Sequence, residues 1–169
     1  MKIFDDVLDN SLFKDCVDEL NEKVEEECWA SSTMIWKPSL SQGLTGSCLS
    51  AEMSSFLAKK IEKQIKKYLP QYDSLFCQYQ IFQPNAGVGV HNDGHKKFGA
   101  TIYLNEEWDR NAGGWFIWSS PNLERRSLHY ALLPKKNLMV LNDTYEDHQV
   151  TAVSPLYPHS RYTIQIWGN

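Results

Sequence analysis

At 169 residues the chain is long enough for one domain with one core and few extras. Its net charge of -4 argues against general nucleic-acid binding, which is usually done by basic surfaces. No apolar run approaches the roughly 20 residues that span a bilayer, and the acidic opening M-K-I-F-D-D-V-L-D-N lacks the apolar core of a signal peptide, so a cytoplasmic or otherwise intracellular location is expected.

The first predicted element is a helix capped by Asn10 or Ser11, with Leu12, Cys16, Val17, Leu20 and Val24 on one face. Residues 31 to 49, which include Trp36, are polar and glycine-containing and read as irregular structure or a short strand. A second helix is predicted from near Ser50, carrying Met53, Phe56, Leu57, Ile61, Ile65 and Tyr68, and stopped by Pro70. Lys59, Lys60, Lys63, Lys66 and Lys67 near its end suit the helix dipole and read as a solvated face. Beyond Pro70 the periodicity changes. Short β-rich runs at 75–83, 87–92, 98–104, 114–118, 127–133, 137–142, 147–153 and 160–167 alternate with turns such as P-N-A-G, D-R-N-A-G-G, S-S-P-N and P-K-K-N. That spacing predicts a mostly β protein with N-terminal helices, a jelly roll with the helices packed on one sheet. The expected organisation is a single domain over 1–169, with 1–70 as helical support and 71–169 as the jelly-roll core. Cys16, Cys28, Cys48 and Cys77 are scattered, form no C-x-x-C pair, and read as mostly buried thiols.

Within 88–95, V-G-V-H-N-D-G-H, two imidazoles and a carboxylate interrupt a predicted strand. Alternate residues share a strand face, so His91 and Asp93 point the same way and make two corners of a metal site. Two histidines and one carboxylate on one face of an octahedron suit Fe(II) and leave the opposite face open. His129, His148 and His159 compete for the third corner; His148, in E-D-H-Q-V-T-A-V at the start of a predicted strand, is the best placed. Arg161 opens R-Y-T-I-Q-I-W, whose polar face carries Arg161, Thr163, Gln165 and Trp167 and whose apolar face carries Tyr162, Ile164 and Ile166. A guanidinium in a cavity lined by that polar face requires an anion, and its fork matches a carboxylate.

The ordered series F-Q-P-N-A-G-V-G-V-H-N-D, T-I-Y-L-N, N-A-G-G-W-F, P-K-K-N-L-M-V-L-N, H-Q-V-T-A-V and R-Y-T-I-Q-I-W resembles Fe(II)- and 2-oxoglutarate-dependent dioxygenases, their prolyl 4-hydroxylase-like branch in particular, over roughly residues 75 to 167. The resemblance implies the double-stranded β-helix form of the jelly roll, with Fe(II) as the metal, 2-oxoglutarate and O2 as cosubstrates, and ascorbate as a candidate reductant. It assigns His91, Asp93 and His148 to iron, Arg161 to the distal carboxylate of 2-oxoglutarate, Tyr103 to a hydrogen bond on that carboxylate, and Gln165 to the cosubstrate's surroundings. His95 and Trp167 are candidate substrate contacts. Asp93 favours hydroxylation, because halogenating relatives replace that carboxylate with a small residue. Two departures stand out: Asn137 occupies a turn position where the family often has glycine, and the interval from His148 to Arg161 is a few residues longer, with Y-P-H-S before the arginine.

Blander readings compete at several positions. Tyr103 also fits a buried core phenol, His95 a loop residue, His129 and His159 structural or solvent-facing residues, and Trp108, Trp115 and Trp118 core or lid aromatics. Arg125 and Arg126 read as a solvated hairpin tip, or as contacts for an acidic substrate. The expected reaction is hydroxylation of an unactivated C–H bond, of a prolyl residue in a peptide or protein, or alternatively of a free amino acid or other small molecule. A nucleic-acid demethylase fits less well, since its branch carries a second arginine six residues after the first, where this chain has Trp167. A non-catalytic jelly-roll binding module is the remaining alternative. No membrane partner is expected.

Overall fold

The computed structural model describes residues 1–32, 37–41, 44–119, 129–143 and 145–169. Trp36, Arg125, Arg126 and the first two residues of the predicted strand 127–133 lie outside the described residues. In chain order the elements are β1 (Lys2–Phe4), α1 (Asn10–Glu25), β2 (Ala30–Ser31), α2 (Pro38–Ser41), β3 (Cys48–Glu52), α3 (Ser55–Ile65), β4 (Leu75–Phe82), β5 (Val88–His91), β6 (Phe98–Tyr103), β7 (Phe116–Ser119), β8 (His129–Leu132), β9 (Met139–Asp143), β10 (His148–Val150) and β11 (Arg161–Gly168).

The strands form two antiparallel sheets, a larger one in the order β1-β9-β6-β11-β4-β3-β2 and a smaller one in the order β5-β10-β7-β8. This is the double-stranded β-helix expected from the sequence, with α1 and α3 packed on the outer face of the larger sheet. The period of two in β11 separates two cores. Ile164 and Ile166 pack with Leu12, Leu20, Ile61 and Ile65 of the helices, in the core outside the sandwich. Each such side chain, fully buried, contributes about 1.5–3 kcal/mol. The opposite face of β11 looks between the sheets, beside the second core around Phe82, Tyr103, Phe116 and Val140.

Local chemistry moves several boundaries. Asp9, not Asn10 or Ser11, caps α1: its carboxylate accepts the Leu12 N–H at 2.8 Å from an extended backbone. The second helix begins at Ser55 rather than near Ser50, because Cys48–Glu52 pair as β3 with β4 and Ser54 provides the cap. Glu19 of α1 accepts both the N–H and the hydroxyl of Ser54 at 2.7 Å, which ties the two helices together. α3 stops at Ile65 and a 3-10 turn, Lys66–Tyr68, completes the run toward Pro70. Phe56 and Val24, expected on the packed faces, are 64% and 45% exposed. The lysines of α3 and of the turn after it are exposed, and Lys60 pairs with Asp15 at 3.2 Å. The first seventy residues are more than helical support, since β1, β2 and β3 all join the larger sheet. Asn137 has a φ of 56°, so it supplies the left-handed turn that glycine would otherwise make. Its amide also exchanges hydrogen bonds with the Leu8 backbone at 3.0 and 2.7 Å, so the buried group is satisfied. All four cysteines are thiols, Cys28 exposed and the others buried. Among the described residues no helix is long and apolar enough to cross a membrane.

Candidate active site

β5 and β10 pair antiparallel with His91 directly opposite His148, their ring centroids 4.3 Å apart. Asp93 follows β5 by two residues and turns to the same side. The ligand atoms of His91, Asp93 and His148 all lie within 4.8 Å of one another, and among the described residues this is the cluster able to hold a metal ion. Asp93 and His148 are buried and His91 is half-buried.

Both imidazoles are oriented through their backbones. Nδ1 of His91 donates to the Gly89 carbonyl and Nδ1 of His148 to the Glu146 carbonyl, each at 2.8 Å. A carbonyl can only accept, so each Nδ1 carries a proton, and in the neutral form each Nε2 is the nitrogen left with a lone pair for a metal. Burial holds the pKa of His148 below the ordinary histidine value, and the neighbouring His91 pushes the same way, against the Glu146 carbonyl and Asp93. A neutral imidazole is the form that ligates metal. Phe116 stacks on His148 with ring centroids at 5.3 Å and walls that side of the site.

Arg161, at the start of β11, is 1% exposed. Its guanidinium lies between the rings of Phe82 and Tyr103, 4.8 and 5.0 Å from their centroids. Gly114, at a φ of 65°, passes so close that an added Cβ would sit 3.1 Å from Arg161 Cδ. Among the described residues Arg161 Nε, the Tyr103 hydroxyl and the Thr163 hydroxyl have no hydrogen-bond partner. Thr163 and Tyr103 face each other across β11 and β6. Burial raises the Tyr103 pKa, opposed by the Arg161 charge, so the phenol keeps its proton and can donate. A buried cation with an unsatisfied N–H and no carboxylate partner among the described residues is costly to keep, and an entering anion would relieve that cost.

One cavity of about 610 Å³ joins the two halves, lined by His91, Asp93, His148, Arg161 and Gln165 among others. On its floor the Thr101 hydroxyl donates to Gln165 Oε1 at 2.8 Å, which leaves the Gln165 amide nitrogen as donor. At its outer edge Trp167 stacks on Phe76 at 5.9 Å, and His95 lines the same space. His129 is exposed on β8 beside the Ser119 hydroxyl, and His159 packs on Tyr157, so neither joins the metal cluster. Trp108 donates to the Gly113 carbonyl at 2.9 Å and packs against the inner core, and Trp118 stacks on Tyr130. Trp115 is half-buried.

A match to the 2OG-Fe(II) oxygenase superfamily covers residues 68–169. The chain belongs to that superfamily. Fe(II), 2-oxoglutarate and O2 are therefore its metal and cosubstrates, and the donor set fits them: two imidazoles and a carboxylate for the iron, and for a carboxylate a buried guanidinium whose Nε has no hydrogen-bond partner among the described residues. No curated protein matches this oxygenase in sequence. Among solved structures it is similar to a prolyl-4-hydroxylase from Pseudomonas putida, at 13% identity and a TM-score of 0.74 over 99% of this chain and 91% of that one. It is similar to a Trichoplax adhaerens prolyl hydroxylase, solved in complex with a peptide fragment of the hypoxia inducible factor oxygen degradation domain, at 14% identity and a TM-score of 0.72 over 99% of this chain and 82% of that one. A non-haem α-ketoglutarate-dependent epimerase of nogalamycin biosynthesis shares the fold at 10% identity and a TM-score of 0.69, over 99% of this chain and 76% of that one.

The sequence reading missed Thr163 as a polar partner beside Arg161, although its place on the polar face of β11 was visible. It also missed Phe116 beside His148. Both depend on which strand packs opposite which, and strand period alone does not say.

Proposed function

We propose that this oxygenase hydroxylates an unactivated C–H bond of a prolyl residue in a peptide or protein, with His91, Asp93 and His148 holding iron and Arg161 holding 2-oxoglutarate. The observation that carries the reading is one cavity with the His-Asp-His cluster in one wall and, in another, the buried Arg161 guanidinium, whose Nε has no hydrogen-bond partner among the described residues. Bound Fe(II), with 2-oxoglutarate and O2, supplies an oxidation able to break a C–H bond, coupled to conversion of 2-oxoglutarate to succinate and carbon dioxide.

This chain's residues bind and orient. Arg161 forms a charge-assisted pair with the distal carboxylate, and the Tyr103 and Thr163 hydroxyls add donors to it. Gln165, held by Thr101, would offer its amide nitrogen to the cosubstrate from the cavity wall. Asp93 contributes the anionic ligand that partly neutralises the metal's charge. Phe116 and Val150 line the cavity with apolar surface and limit water near the reacting carbon. The stacked Trp167 and Phe76 rings, the latter 43% exposed, offer a flat apolar platform suited to a pyrrolidine ring. His95 lines the same cavity and would be a further substrate contact. The likeness to two prolyl hydroxylases supports the peptide reading.

Anaerobic addition of Fe(II) and 2-oxoglutarate should give the visible charge-transfer band of an iron-bound keto acid. Aerobic incubation with a panel of proline-containing peptides and free amino acids, read by product mass, should add one oxygen to a peptide prolyl residue. Oxygen insertion into free amino acids and into no peptide would refute the prolyl assignment.

A further inference from the structure

Asp93 is held in place by something other than the other two candidate ligands. The amide Nδ2 of Asn142, on β9, donates to Asp93 Oδ2 at 3.0 Å, and Asn142 is 2% exposed. Between them lies Gly99 of β6, paired directly with Asn142 across the sheet. A Cβ built on Gly99 would stand 2.5 Å from Asp93 Oδ2 and 2.9 Å from Asn142 Nδ2. The larger sheet thus carries no side chain at the one point where a carboxylate from the β5 end reaches across the cavity to dock on it.

The consequence is chemical. Asp93 follows β5 in a loop, outside any regular ladder, so its backbone alone fixes its carboxylate poorly. His91 and His148 are both anchored through Nδ1 to nearby carbonyls. Asn142 does for the carboxylate what those carbonyls do for the imidazoles, and it does so from the opposite sheet. A neutral amide donor is well suited here. It restricts the carboxylate's rotation without supplying a full positive charge that would compete with a metal cation. Asn142 is the polar residue that interrupts a buried run, since Met139, Val140 and Leu141 before it are all buried apolar residues.

We infer that Asn142 is a positioning residue for Asp93, and that the glycine at position 99 leaves the room the contact needs, so that the pair sets the affinity and selectivity of the iron site without touching the metal. The inference rests on the iron reading of His91, Asp93 and His148. Groups of this kind typically account for about 10–100-fold in metal affinity.

The test is anaerobic Fe(II) titration of metal-free protein, wild type against Asn142→Leu, which removes the donor at similar volume, and Gly99→Ala, which crowds the carboxylate from the other side. Both variants should bind Fe(II) about 10–100-fold more weakly. At saturating iron, 2-oxoglutarate affinity should stay within about twofold of wild type, because Arg161 is untouched. In the Asp93→Ala background, Asn142→Leu should cause no further loss of Fe(II) affinity, as required if it acts through Asp93. A crystal structure of metal-free Asn142→Leu should show the Asp93 carboxylate rotated from its wild-type position. Wild-type Fe(II) affinity in a folded Asn142→Leu, or losses that multiply in the double variant, would overturn the inference. A wild type that binds no Fe(II) would instead overturn the iron reading on which it stands.

Discussion

Arg161 offers the sharpest perturbation, because the same side chain should weaken the resting protein and strengthen the loaded one. It is 1% exposed, with its Nε unpartnered among the described residues. Replacement by methionine keeps most of the volume between Phe82 and Tyr103 and removes the buried charge. In protein freed of 2-oxoglutarate, Arg161→Met should therefore raise stability by about 1 kcal/mol, since apolar replacements of buried ionic groups are often neutral or stabilising by about 1–4 kcal/mol. For a chain of this size that is an increase of roughly 2–4 °C in Tm. The effect on ligand is opposite. Truncating one partner of a buried charge pair costs about 2–5 kcal/mol, or roughly 30- to several-thousand-fold in affinity. Arg161→Lys should fall between, keeping the charge and losing the fork. Calorimetric melting of dialysed protein, with and without 2-oxoglutarate at saturating metal, reads both effects. In wild type the ligand should raise Tm; in Arg161→Met it should not. A ligand-free Arg161→Met that melts lower than wild type and is still stabilised by 2-oxoglutarate to the wild-type extent would refute the reasoning.

Three further outcomes are expected. His148→Ala should lose Fe(II) binding and the charge-transfer band, while His129→Ala and His159→Ala keep both; the reverse pattern in an anaerobic titration would move the third ligand. Tyr103→Phe removes one neutral donor and should weaken 2-oxoglutarate by about 1–2 kcal/mol, less than Arg161→Ala, in a direct binding titration. Burial pushes the thiols of Cys16, Cys48 and Cys77 from the usual 9.0 up to about 12, so native protein should react with a thiol reagent at Cys28 alone, and at all four in denaturant. Because these pKa values are higher folded than unfolded, their stabilising contribution is complete below pH 9.0 and is lost as pH rises toward 12; urea midpoints should fall across that window.

What the sequence revealed depended on how local the physics was. The eight strands after Pro70 were legible because each is a short run of β-formers between strong turn residues. The place of His148 at the start of a strand was legible, but His129 opens β8 as well; it is the pairing of β10 with β5 that sets His148, and not His129, opposite His91. β1 was not visible, since Lys2–Phe4 carries no pattern of its own and becomes a strand only by pairing with β9. The start of the second helix was misread because Ser50–Glu52 fit either state until pairing with β4 claims them. Asn142 and Gly99 looked like ordinary strand residues, and their contact with Asp93 exists only through the register of β6 on β9.

Tyr103 carries this further, because its two sequence readings turn out not to exclude each other. It is fully buried, as a core phenol would be, and its ring packs against the Arg161 guanidinium with an orphaned hydroxyl. The alternation of β6 and β11 explains how full burial and a hydroxyl without a partner occur together. One face of each strand feeds the apolar core under the helices, where burial is unconditional. The other feeds the space between the sheets, where Arg161, Tyr103 and Thr163 bring polar groups into burial without partners. The first core provides the stability that makes the second arrangement tolerable, and in the function proposed above the groups without partners favour an anion. A variant that weakens the helix-side core, such as Ile61→Ala, should cost about 2–5 kcal/mol of stability. It should leave the 2-oxoglutarate affinity of the remaining folded protein unchanged, measured well below its Tm. A parallel loss of affinity would mean that the two faces of the larger sheet are not independent, and that the division of labour between them is wrong.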